Sequence, residues 1–124
     1  MSKSKADELN EILGNLRSSS GDIEACAVVS EDGLMIASML PQGLEEQQIA
    51  AMSAVMMSTG SRITQELNRG ALDQLFVKGE KGYVIGVYAG PHAVLLALAK
   101  KEAKLGLIFF DLSKAAEVTK KLFA

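Results

Sequence analysis

Reactive and metal-binding side chains are scarce in this chain of 124 residues, which has one cysteine, one histidine and no tryptophan. Cys26 cannot form an internal disulfide, which favours a reducing compartment such as the cytoplasm. Cys26 and His92 together fall far short of the four ligands of a zinc site. A Ser–His–Asp arrangement for nucleophilic catalysis would have to use His92, since the chain has no other histidine. The composition therefore predicts no metal, no cofactor and no enzyme activity.

Charge excess and long apolar runs are also lacking. The net charge is −2, from 13 basic and 15 acidic residues, whereas a nucleic-acid-binding protein needs a basic face. No uncharged run approaches the ~20 apolar residues needed to cross a bilayer, and the first 17 residues lack the apolar core of a signal peptide. With 48 % hydrophobic residues, the chain can form one domain over residues 1–124. We expect a cytoplasmic protein that binds no nucleic acid and does not span a membrane.

The segment from Leu44 to Asn68 has the pattern of one long, proline-free helix. Helical spacing predicts a core face on one side, formed by Ile49, Met52, Met56, Gly60, Ile63 and Leu67. The opposite side carries small or uncharged residues instead of the usual charges, namely Ala51, Ala54, Ser58 and Gln65. Two interpretations follow: a central core helix, or a helix whose small-residue side meets a second copy of the chain. Depletion of charge favours the second copy, since it characterises the core of an interface.

The remaining segments predict the element order α-β-β-α-β-β-β-α. Ser4 is placed as the N-cap of a first helix over residues 5–18. The other predicted elements are strands at 23–30, 34–39, 71–78, 83–89 and 93–99, and a closing helix at 106–123. Short turns between consecutive strands predict antiparallel pairing. The predicted fold is α/β (α+β): a five-stranded, mainly antiparallel sheet with the terminal helices on one face and the long helix on the other.

Two features of the strands bear on association. The last two strands are apolar on both sides, as is typical of central strands that are covered on both faces, and Gly86 predicts either a bend or the close approach of a helix. The strand at residues 71–78 is a predicted sheet edge. We expect it to pair with its counterpart in a second copy, so that Leu75 and Val77 join Ala51, Ala54, Ser58 and Gln65 in the dimer interface.

The whole chain resembles the Roadblock / dynein light-chain domain family, a relative of the profilin-like folds. The resemblance lies in the opening helix ELNEILGNL, the hairpin GDIEACAVVSEDGLMIAS, the helix end TQELNRG, the strands QLFVKGEKGYVIGVYAG and AVLLALAKKEAKLG, and the closing LGLIFFDL. It implies a dimer through the long helix and third strand, and a non-catalytic role as a binding partner or regulator of a Ras-like small GTPase. Stand-alone bacterial and archaeal proteins of this family are associated with the GTPases that set cell polarity in gliding motility, so the resemblance implies a role of that type. The partner in the dimer is either a second copy or a paralogue.

Candidate contacts with the GTPase lie on the side of the long helix, at Ser53, Met57, Gly60, Ser61 and Thr64. Arg62 is interpreted as an ion pair with Glu66, in preference to a catalytic arginine that reaches into the GTPase. The alternative function is a small-molecule sensing domain or a general scaffold of profilin-like fold, which requires an internal cavity with a few convergent polar groups.

The other motifs have plain structural interpretations. We expect His92 to be a surface turn residue, Cys26 to be a small buried hydrophobic side chain, and Gly79-Glu80-Lys81-Gly82 to be a hairpin turn, because it lacks the P-loop spacing. Six lysines lie close together in sequence, at positions 100, 101, 104, 114, 120 and 121. They are interpreted first as a solvated face and second as a docking patch for an acidic partner or a membrane surface.

Overall fold

The first helix begins as its sequence predicts. In a computed structural model that describes residues 3–123, the hydroxyl of Ser4 accepts a hydrogen bond from the backbone N–H of Asp7 at 3.1 Å, which caps the helix. The helices are α1 (Lys5–Ser19), α2 (Glu46–Glu66) and α3 (Leu105–Leu122). The strands are β1 (Ile23–Ser30), β2 (Met35–Met39), β3 (Gln74–Gly79), β4 (Gly82–Tyr88) and β5 (Ala93–Lys100). The predicted element order is confirmed.

The five strands form one sheet in the order β2-β1-β5-β4-β3. Every neighbouring pair is antiparallel. In the central pair, Val28 of β1 lies opposite Leu95 of β5. β1 and β2 change register between Val28 and Val29, where the ladder is irregular. The predicted edge position of β3 is confirmed, and β2 forms the other edge.

The helices divide between the two faces of the sheet as predicted. On one face, α1 and α3 cover a large apolar cluster in which Leu13, Ile85, Leu95 and Leu112 are fully buried. On the other face α2 lies alone, and its buried cluster is small, formed by Ala27, Val29 and Ala50 with Met35 beside it. One face of the sheet is therefore well covered, and the other is only partly covered.

Side chains of α2 pack closely over Gly86 of β4. A Cβ atom at Gly86 would lie 2.7 Å from Sδ of Met57 and 3.0 Å from Cε of Met56. The predicted close approach of a helix at this glycine is confirmed. On the helix, Gly60 packs against β3: a Cβ atom there would lie 2.9 Å from Cδ2 of Leu75.

The predicted core face of α2 is wrong for three of its six residues, Met52, Ile63 and Leu67, whereas Ile49 and Met56 are half-buried and Gly60 is buried. The residues that α2 buries are Ala50, Ser53, Met57 and Gly60, so only Gly60 belongs to the predicted stripe. Met52, Ile63 and Leu67 are more than half exposed, at 57 %, 52 % and 65 %. The buried face combines small residues with Met57, whose side chain packs over Gly86, where the sheet has no side chain. Met52, Ile63 and Leu67 are rotated to the flank.

Candidate functional site

The partly covered face of the sheet carries a long apolar groove beside α2. It has a volume of about 660 Å³. Its floor is formed by side chains from β3, β4 and β5, and its wall by α2; the main apolar members are Ile49, Met52, Val55, Met56, Ile63, Leu75, Val77, Val84, Leu96 and Leu98. We call this surface the apolar groove.

The apolar groove exposes side chains that a folded monomer normally buries. Val55 is 56 % exposed and Val77 is 52 % exposed, and Met52 and Ile63 are exposed to a similar degree. β3 runs along the outer side of the groove as an edge strand, so its outward backbone groups have no neighbouring strand in the sheet. An apolar surface next to an unpaired strand edge is typical of a protein–protein interface.

A second groove lies on the other flank of α2 and is more polar. It has a volume of about 540 Å³ and is lined by Glu31, Asp32, Ala54, Met57, Ser58, Ser61, Arg62, Gln65, Glu66, Tyr88 and Val94. We call this surface the polar groove. Inside it, the hydroxyl groups of Ser61 and Tyr88 share a hydrogen bond of 2.8 Å.

Two polar side-chain contacts border the polar groove. Nε of Arg62 donates to Oε2 of Glu66 at 2.8 Å, which confirms the predicted pair on α2. Nδ1 of His92 lies 2.8 Å from Oε1 of Glu31, and this contact joins the β4–β5 turn to the end of β1. Both pairs are largely exposed, so they shape the rim and add little stability. His92 is an exposed turn residue, as predicted.

The residues predicted to contact a GTPase are not all at the surface. Ser53, Met57 and Gly60 are buried against the sheet, so their prediction as surface contacts is wrong. The cause is the rotation of α2 described above, which turns this stripe inwards. Ser61 and Thr64 are half-buried, and Ser61 lines the polar groove.

The six residues predicted for the dimer interface are divided between the two flanks of α2. Leu75 and Val77 line the apolar groove. Ala54, Ser58 and Gln65 line the polar groove, and Ala51 is exposed on the outer side of the helix. The prediction missed the exposure of Met52, Val55 and Ile63. The signal for Met52 and Val55 was present in the charge-free run of residues 47–61, but Met52 and Ile63 were assigned to the core.

Cys26 is buried on the face covered by α1 and α3, as predicted. It is 1 % exposed, and Sγ donates to the backbone carbonyl of Leu13 at 3.4 Å. Burial raises the pKa of the Cys26 thiol from 9.0 to about 11, because the low-dielectric interior disfavours the thiolate. A thiol that stays protonated and covered is a poor nucleophile. Among residues 3–123, no three His, Cys, Asp or Glu side chains form a group that would hold a metal ion.

None of the three helices, within the residues that the structure describes, is long and apolar enough to span a membrane. Together, the sheet, its helices and the two grooves define a profilin-like α/β domain with two exposed grooves beside a single long helix. The comparisons with known proteins agree with this class.

The chain belongs to the Roadblock/LC7 domain family, whose model matches residues 9–99. It is 33 % identical over 115 residues to an uncharacterised protein of Methanocaldococcus jannaschii, covering 93 % of this chain and 99 % of that protein. The gliding protein MglB of Thermus thermophilus has a TM-score of 0.84 at 16 % identity, covering 98 % of this chain and 93 % of that one. Profilin II of Acanthamoeba castellanii has a TM-score of 0.65 at 15 % identity, covering 98 % of this chain and 100 % of that one. The expected Roadblock-type, profilin-like fold is confirmed.

Proposed function

We propose that the protein is a non-catalytic homodimeric module that binds and regulates a Ras-like small GTPase. The observation that carries the proposal is the apolar groove next to the free edge of β3. Membership of the Roadblock/LC7 family and structural similarity to MglB support the role of an interaction module. The GTPase as partner comes from the family resemblance. The expectation that the protein is not an enzyme belongs to the same proposal.

The apolar groove is the proposed dimer interface. A second copy would place its own α2 and β3 against the same surfaces, since a two-fold axis makes each patch its own complement. Met52, Val55, Ile63 and Val77 are each more than half exposed, and covering such a side chain contributes on the order of 1 kcal/mol. Leu75 and Val77 keep the role predicted for them. A paralogue with a similar groove is the alternative occupant.

The polar groove and the outer side of α2 form the proposed GTPase surface. Ser58, Ser61 and Gln65 provide hydroxyl and amide groups on a flank that the proposed dimer leaves accessible. Arg62 pairs with Glu66 at 2.8 Å, and we place it at the rim of this surface. The regulation would then act by ordering the switch loops of the GTPase.

Binding to a Ras-like GTPase from the same genome tests this proposal. Titration with the GTPase loaded with GTP or GDP should show tighter binding to one nucleotide state. Ser58→Arg should weaken binding by about tenfold or more, because it places a long cation in the polar groove. Ser18→Arg on the exposed side of α1 is the matched control and should leave affinity unchanged. Equal affinity for both nucleotide states, or equal loss in both variants, would contradict the proposed role.

One observation favours the alternative of a small-molecule sensing domain: the 660 Å³ of the apolar groove is within the size range of ligand sites. However, the groove is bordered by side chains that are more than half exposed, whereas such ligands are normally enclosed. A monomer in solution that binds an apolar ligand in this groove would support the alternative and exclude the dimer.

A further inference from the structure

The outward side of α3 carries a stripe that the proposed function does not use. Its members follow each other at spacings of three and four residues, so they lie on one side of the helix; they are Lys104, Leu107, Phe110, Lys114, Val118 and Lys121. We call this set the basic apolar stripe. The buried residues of α3, Ile108, Leu112, Ala116 and Thr119, point to the opposite side.

The apolar members of the stripe are well exposed. Leu107 is 61 % exposed, Phe110 is 59 % exposed and Val118 is 50 % exposed. The ammonium group of Lys114 lies 4.7 Å from the centre of the Phe110 ring, which is a cation–π distance. The three lysines are also exposed, and they outnumber the two acidic residues at helical spacing from them, Asp111 and Glu117. Exposed phenylalanine and leucine among lysines are unusual on a face that only meets water.

The charge of the chain is unevenly distributed among its segments. Residues 100–123 contain six lysines and three acidic residues, for a net charge of +3. Residues 3–19, which include α1 beside α3, contain three basic and three acidic residues and are neutral. Residues 20–99 include α2 and the polar groove and carry four basic and nine acidic residues, for a net charge of −5. The segments that form α1 and α3 are therefore positive in sum, whereas the polar groove beside α2 is lined by three acidic residues and one basic residue, Glu31, Asp32, Glu66 and Arg62.

We propose that the basic apolar stripe of α3 binds the surface of an anionic lipid bilayer. Lysines attract acidic headgroups, and exposed aromatic and aliphatic side chains enter the interfacial layer, which is how helices bind in the plane of a membrane. In this orientation the polar groove with its acidic residues points away from the anionic surface. The dimer groove and the polar groove would remain accessible from the aqueous side.

The shape of the stripe favours a bilayer over an acidic protein. Lys114 and Val118 of the stripe line a groove between α1 and α3 that has a volume of only about 280 Å³, and the rest of the stripe lies on the convex outer side of the helix. Strong protein–protein contacts need pockets that enclose anchoring side chains, whereas a fluid headgroup layer adapts to a convex surface. Charge complementarity identifies the lipid as acidic.

Vesicle cosedimentation of the full chain at low ionic strength tests the proposal. The protein should bind vesicles that contain phosphatidylglycerol, should bind pure phosphatidylcholine vesicles at least tenfold more weakly, and should be released from the acidic vesicles by high salt. Lys104→Glu with Lys121→Glu should weaken binding by more than tenfold, since each lysine near an anionic surface is worth about fivefold in affinity. The control Arg69→Glu with Lys81→Glu makes the same change in net charge away from the stripe, at two exposed positions, and should weaken binding much less.

A second pair of variants tests the apolar part. Phe110→Ser should weaken binding several-fold and leave the salt dependence in place, whereas Leu34→Ser, at a residue that is 67 % exposed on the hairpin turn, should have little effect. Two outcomes of the vesicle measurement would overturn the proposal: no binding to acidic vesicles, or an equal loss of vesicle affinity in the stripe variants and their controls. A third would be a lower molecular mass of Phe110→Ser than of the parent protein in solution without vesicles. The last outcome would show that a protein copy covers the stripe. The vesicle measurement needs no GTPase, so it stands or fails independently of the proposed function.

Discussion

The two faces of the sheet differ in how completely they are covered. On one face, α1 and α3 enclose a cluster in which Leu13, Ile85 and Leu112 are fully buried. On the other, α2 lies close to the sheet through Ala50, Ser53 and Gly60 and leaves the apolar groove beside it. A single helix about 10 Å wide cannot cover strands spaced about 4.8 Å apart across a five-stranded sheet. The covered face contains the large apolar core, and the partly covered face is the one that we propose binds other proteins.

The largest expected difference between the two faces is in stability. Leu13→Ala removes a fully buried side chain and should lower the free energy of unfolding by about 2–5 kcal/mol. Ile63→Ala, at a side chain that is 52 % exposed, should cost less than about 1 kcal/mol in the monomer. Urea unfolding followed by circular dichroism, at concentrations low enough to exclude association, measures both. Equal losses would show that the two faces are packed alike.

Gly86→Ala tests how closely α2 lies on the sheet. The added methyl group would meet Sδ of Met57 at 2.7 Å, and displacing the methionine side chains should cost about 1–3 kcal/mol. Gly21→Ala is the control, because a Cβ at Gly21 meets no atom within 4 Å; it should stay within about 0.5 kcal/mol of the parent protein. A neutral Gly86→Ala would mean that the helix is not in close contact at this point.

Cys26 reports on the covered face through pH. Burial raises the pKa of its thiol from 9.0 to about 11, so between these values the folded state keeps a proton that the unfolded state releases. The free energy of unfolding should therefore be unaffected by this group below pH 9 and should fall as pH rises through that window. Urea unfolding across the window, with Cys26→Ala as the control, measures the effect. A decline of the same size in Cys26→Ala would assign the pH dependence to other groups.

The smallest effect is expected at the buried serine under α2. The hydroxyl of Ser53 donates to the carbonyl of Ile49, one turn earlier, at 2.7 Å. Because that carbonyl belongs to the helix, removing the hydroxyl leaves no buried group without a partner in the described structure, and Ser53→Ala should change stability by less than about 0.5 kcal/mol. A loss well above 1 kcal/mol would assign Ser53 a packing role that its bonding does not indicate.

Local patterns predicted much of the fold. Several correct predictions depend only on neighbouring residues or on a simple alternation. They are the capping bond of Ser4, the edge position of β3, the contact at Gly86 and the Arg62–Glu66 pair. The antiparallel order followed from the short turns. These features need no knowledge of how far the helix stands from the sheet.

The face that α2 buries could not be read from the same patterns. Both sides of the helix are nearly free of charge between residues 47 and 61, so polarity does not separate core from surface. Helical spacing then assigned Met52 and Ile63 to the core, but the helix buries Ser53, Met57 and Gly60, and Met57 packs over Gly86. The side of a helix that meets the sheet is a tertiary property. Because of the same error, three of the five residues predicted to contact the GTPase at the surface are in fact buried.

The oligomeric state in solution tests the central claim that the apolar groove is covered by a second copy. Light scattering on the full chain at micromolar concentration should give twice the mass of one chain. Ile63→Glu, which places a charge in the groove, should give the monomer mass, whereas Ala51→Glu on the outer side of α2 should remain a dimer. A monomeric parent protein, or dissociation by Ala51→Glu but not by Ile63→Glu, would contradict the account.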